Sequence, residues 1–73
     1  MQVEIIIKEM REKQKISLQE LSELTGIERH RLSDIENHVV KEDKILFIEM
    51  LVIATNMGLE ISDLYRVSYL KFI

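Results

Sequence analysis

The sequence predicts an all-α domain, and three observations carry that prediction. Proline is absent and only two glycines interrupt 73 residues, so few positions break a helix. Hydrophobic residues make up 47% of the chain and recur at helical spacing among charges. Polar or acidic residues precede several of these runs and glycine follows two of them, which are start and stop signals of helices. A chain of this length forms one domain, 1–73, with a core over 6–65 and a tail, 66–73, available as a dimerisation element.

Five helical segments are expected. Ile6 to Lys15 carries Ile7 and Met10 one turn apart among charged residues, the pattern of a first amphipathic helix. Ser17-Leu-Gln-Glu is a capping box, and Ile16 with Leu21 makes a hydrophobic staple across it, so a second helix starts there. That helix carries Leu21 and Leu24 and stops at Thr25-Gly26, where glycine supplies a left-handed turn. Glu28 precedes a third helix, Arg29 to Asn37. Leu32 and Ile35 face its core side, and Arg29, His30, Ser33 and Asp34 face out. Asp43 is the expected cap of a long fourth helix, Lys44 to Met57, closed by Gly58, and Ile61 to Tyr65 forms a short fifth segment. The terminal runs 3–6 and 67–73 hold β-favouring residues and read as short strands.

Several function classes are excluded by this composition. Ten Lys plus Arg against thirteen Asp plus Glu give a net charge of −3, which is wrong for a protein whose whole surface grips polyanions but leaves room for a local basic patch. Without cysteine there is no disulfide and no thiolate metal site, and His30 and His38 lack companion ligands, so no metal is expected. No nucleophile and base combine plausibly and no glycine-rich phosphate loop occurs, so no enzyme, cofactor or small-molecule ligand is expected. The longest apolar stretch, 45–54, spans ten residues and contains Glu49, too short for a membrane span of roughly 20 residues. With no secretory signal pattern, the expected location is the cytoplasm.

The run Ser17 to Asn37, with Ile7-Lys-Glu-Met-Arg-Glu-Lys before it and Ile53 to Tyr65 after it, resembles the helix-turn-helix of the Cro and phage-repressor-like transcriptional regulators. The resemblance implies a five-helix lambda-repressor-like domain whose third helix enters the major groove of double-stranded DNA. Carried onto this chain, it places Arg29, His30, Ser33 and Asp34 at base edges. Arg29 is suited to guanine, and Asp34 is suited to the cytosine amino group. Ser17, Gln19, Arg31, Asn37 and Lys41 become candidates for the DNA backbone. Gly26 becomes the structural residue of the turn, and Arg11 and Glu36 become a partly buried ion pair between the first and third helices.

Four departures from the pattern reduce phosphate contact. Glu28 stands where relatives often carry serine or threonine, and Leu18 replaces a polar residue. His38-Val39-Val40 replaces glycine followed by basic residues, and the segment from Glu36 to Gly58 is three residues longer than usual. Fewer cationic contacts weaken binding by a single copy, and a homodimer reading two half-sites compensates. The fourth helix is apolar on nearly every side. On a helical wheel Phe47, Met50, Leu51, Ala54 and Met57 make one face toward the core, and Ile45, Ile48 and Val52 a second. That second stripe, with Tyr69 and Phe72 of the tail, is the expected dimer interface. The competing expectation is a protein-interaction module, antitoxin-like or anti-repressor, that keeps the scaffold and binds DNA weakly or not at all.

Overall fold

A computed structural model describes residues 2–68. Four α-helices, two short 3-10 turns and a two-stranded antiparallel sheet follow one another in the order β1 (Gln2–Ile5), α1 (Ile7–Lys13), α2 (Leu18–Thr25), α3 (Arg29–Glu36), a 3-10 turn (Glu42–Lys44), α4 (Phe47–Asn56), a second 3-10 turn (Ile61–Leu64) and β2 (Tyr65–Ser68). The expectation of a small helical domain with short terminal strands holds in its coarse form, with four α-helices in place of five. The fifth segment winds as a 3-10 turn, and the first and last described stretches pair as strands, Gln2 opposite Ser68 and Ile5 opposite Tyr65. This ribbon joins residues far apart in sequence, so no local pattern announces the pairing.

The core is one cluster drawn from β1, all four helices and the second 3-10 turn: Ile5, Ile7, Leu21, Leu32, Ile35, Met50, Ile53, Ala54, Met57 and Leu64. Ile16, on the entry side of α2, packs against it as the staple requires. Arg11 on α1 reaches Glu36 at the end of α3 through two hydrogen bonds, Nε to Oε2 at 2.7 Å and Nη2 to Oε1 at 3.1 Å, and donates a third to the Ile16 carbonyl. Glu36 is buried, and the guanidinium satisfies both its oxygens; the bond and the neighbouring charge hold Arg11 protonated above its usual range. Such a pair fixes the register of α1 against α3 more than it adds net stability, because desolvation offsets much of the attraction.

Several boundaries differ from the sequence reading. α1 is shorter than 6–15, ending at Lys13, with Gln14 and the left-handed Lys15 leading to Ile16. α4 begins at Phe47, not Lys44, and its first turn is closed by Glu49, whose Oε1 accepts the Leu46 amide at 2.9 Å; Asp43 lies in the preceding 3-10 turn and is not the cap. The inward face is Met50, Ile53, Ala54 and Met57, with Ile53 fully buried at its centre. Phe47 and Leu51, expected inward, are instead 70% and 39% exposed, and Ile45, expected in the outer stripe, precedes the helix and packs against the core. The outer face therefore consists of Phe47, Ile48 and Leu51, with the half-buried Val52 beside them.

Candidate nucleic-acid interface

The helix-turn-helix is assembled from local signals. Ser17 caps α2 by accepting the Glu20 amide at 3.0 Å, while the Glu20 carboxylate accepts the Ser17 amide at 3.1 Å, so two otherwise unpaired donors are satisfied. At the other end Gly26 takes φ 76°, and its amide bonds the Ser22 carbonyl at 2.9 Å. Two side chains that the sequence reading did not single out hold the turn. Ser22 Oγ donates to the Ile27 carbonyl at 2.7 Å, and Thr25 Oγ1 donates to the Leu21 carbonyl at 2.7 Å and accepts the Ile27 amide at 3.1 Å. Their signal was a serine and a threonine three apart just before a stop glycine, where hydroxyls compete for backbone groups.

α3 leaves this turn with Glu28 at its N-cap position, but the Glu28 side chain makes no capping bond; it caps by position alone. Leu32, Ile35 and Glu36 are buried, which turns Arg29, His30, Ser33 and Asp34 outward. Arg29 and His30 are exposed, and with Ser17, Leu18, Gln19, Glu28 and Ser33 they line one open groove between the amino ends of α2 and α3. The structure thus gathers base-edge candidates and two backbone candidates, Ser17 and Gln19, on one face. His30 Nε2 lies 3.5 Å from Asp34 Oδ2 one turn along, so the two side chains occupy the outward arc together.

The remaining backbone candidates are placed differently. Asn37 folds its amide back onto α3, donating to the Ser33 carbonyl at 2.9 Å and to Ser33 Oγ at 3.2 Å. Lys41 is exposed at the start of the first 3-10 turn and, like Arg29, has no ion-pair partner among the described residues. Arg31 sits on the flank of α3 and is engaged with Glu49 on α4, Nε to Oε2 at 2.9 Å. The Arg31 hydrogen bond is the main reason the Glu49 carboxyl titrates below its usual range, aided by the Leu46 amide against the opposing effect of burial. Glu49 itself was a missed residue, since nothing in the sequence linked it to Arg31 across the intervening loop. Tyr69 and Phe72, expected at a dimer interface, lie outside the described residues.

Among the described residues no group of three or more histidines and acidic residues is arranged to hold a metal, and no helix is long and apolar enough to cross a membrane. No curated protein matches the chain. A family model described as a helix-turn-helix domain matches residues 5–70, running from the end of β1 past the end of β2. With that match covering nearly its whole length, and with α2, the Gly26 turn and α3 in place, the chain belongs to the helix-turn-helix domain family.

Proposed function

We propose that this protein is a sequence-specific DNA-binding transcriptional regulator of the Cro and phage-repressor-like type, acting in the cytoplasm as a homodimer, by binding and not by catalysis. One observation carries the reading: α3 presents Arg29, His30, Ser33 and Asp34 outward beside the capped start of α2. A helix with its side chains is about 10–12 Å across, matching the major groove, and a rigid turn sets its approach. With α3 in the groove, a phosphate would meet the α2 amino end beside Ser17 and Gln19, the latter giving up the hydrogen bond its amide donates to Glu23. The Arg11 to Glu36 pair and the Ser17 capping box support the Cro-like type.

Dimerisation is supported by the outer face of α4, where Phe47, Ile48 and Leu51 form an exposed apolar strip that a second copy would cover. Two copies would also offset the few free cations on each reading face, since phosphate contacts dominate affinity. The second reading, a protein-interaction module, is favoured by exposed Glu20, Glu23 and Glu28 around the same face and by Leu24, 54% exposed on α2. Selection from random double-stranded DNA, at low and at moderate salt, separates the two. The regulator enriches a motif with two-fold symmetry, its half-sites about 10 base pairs or a multiple apart. No enrichment at either salt overturns it in favour of the protein-binding reading.

A further inference from the structure

Arg31 is the second arginine of α3, two residues from Arg29, yet its geometry is that of a brace. Its Nε donates to Glu49 Oε2 at 2.9 Å, and its Nη2 donates both to Glu49 Oε1 at 3.0 Å and to the Lys44 carbonyl at 3.0 Å. Glu49 Oε1 also accepts the Leu46 amide at 2.9 Å, so one carboxylate closes the first turn of α4 and holds the flank of α3. The Glu49 side chain is only 12% exposed, which limits solvent screening at that end of the pair. A planar guanidinium bound at both carboxylate oxygens and at a carbonyl permits little rotation about the α3 axis.

Packing gives this brace its importance. The backbone of α3 lies against α2, and that of α4 lies against α2 and the second 3-10 turn. Among the described residues, Arg31 makes the only side-chain hydrogen bonds between α3 and α4. It also pins the end of the 37–46 connection, through Lys44, to the reading helix. Only Nη1 is left without a hydrogen bond among the described residues, so a phosphate gripping the guanidinium through two nitrogens would have to displace part of a carboxylate already bound through Nε and Nη2.

We propose that Arg31 and Glu49 are positioning residues that set the angle at which α3 meets the duplex, and that Arg31 is not a phosphate ligand. The proposal rests on the DNA-binding reading above. Its test turns on sign, because Glu49→Gln removes a negative charge, which by electrostatics alone strengthens attachment to a polyanion. A positioning role requires the opposite at the specific site.

The experiment compares the unsubstituted chain with Arg31→Gln, Glu49→Gln and the double variant, each first shown folded by circular dichroism at the assay temperature. Each is titrated onto the selected operator and onto an unrelated duplex over a range of salt. The expected result is a loss of operator affinity of about 2- to 30-fold in both single variants, with affinity for the unrelated duplex unchanged or slightly raised in Glu49→Gln and unchanged or lowered by less than the operator loss in Arg31→Gln. The double variant should be no weaker than the worse single one, and it serves if either single substitution fails to fold, because it leaves no unpaired charge. A uniform loss on both duplexes in Arg31→Gln, with the salt slope falling by about one and Glu49→Gln binding at least as well as the original, makes Arg31 a phosphate contact and overturns the proposal. Unchanged operator binding in all variants overturns it too. Failure of the unsubstituted chain to bind any duplex overturns the DNA-binding reading itself and this proposal with it.

Discussion

Gly26 and His38 both hold left-handed backbone, with φ 76° and 61°, and each follows a helix of the helix-turn-helix. A Cβ added at Gly26 would meet nothing within 4 Å, so substitution there costs backbone conformation and not packing. Gly26→Val should lower stability by about 1–2 kcal/mol, and a thermal melt reads this directly. His38 occupies the same backbone region with a side chain, so the reverse change, His38→Gly, should raise the melting temperature through a gain of up to about 1 kcal/mol. The sequence pointed to the first of these turns because glycine marks it, and left the second hidden because histidine does not. At the reading face, Arg29 is exposed and has no ion-pair partner among the described residues. Arg29→Ala should weaken operator binding by about 1–3 kcal/mol and relax the choice at one base position, measured by titration on single-base operator variants.

At the scale of elements, legibility followed locality. α2, its turn and α3 are fixed by a capping box, a stop glycine and a short apolar period, all contained in about twenty residues, and the sequence located them. α4 was assigned correctly as a helix, and Met50, Ala54 and Met57 face inward as expected, but Phe47 and Leu51 lie outside and Ile53 takes the centre of the buried face. A helix apolar all round gives its period no phase, and only the burial of Ile53 between Met50 and Met57 reveals which side faces in. The brace from Arg31 to Glu49 could not be read because the path of residues 37–46 sets it. The phase decides which substitution tests dimerisation. Val52 is half-buried, so a charge there would disturb the monomer as well, whereas Phe47 and Ile48 are 70% and 56% exposed. Phe47→Glu should leave the monomer's circular dichroism intact and halve the mass seen in sedimentation, because a desolvated unpaired charge prevents the interface. A mass equal to that of the unsubstituted chain would remove this face from the proposed interface.

Across the whole molecule, ion pairs tie together elements distant in sequence: Arg11 with Glu36, Arg31 with Glu49, and Arg66 on β2 with Glu9 on α1 at 2.6 Å. Glu9 titrates below its usual range chiefly through the hydrogen bond from Arg66, and Glu49 chiefly through that from Arg31. A carboxyl lowered in the folded state contributes stability above its unfolded value, about 4.3, and loses it as pH falls through the lower folded value. Unfolding by urea at a series of pH values should therefore give constant resistance near neutrality and a decline below about pH 4.5, with Glu49→Gln showing a shallower decline. The Glu9 side chain is 40% exposed, so its part of that slope shrinks as salt is added.

The β1 to β2 ribbon sets residues 2 and 68 side by side. That adjacency makes the fold a closed circuit, in which the order of elements along the backbone matters less than their neighbours in space. A short peptide joining the two strands, with a fresh opening cut in the 37–46 connection, would give a circularly permuted polypeptide with the core cluster unchanged and α2 and α3 still contiguous.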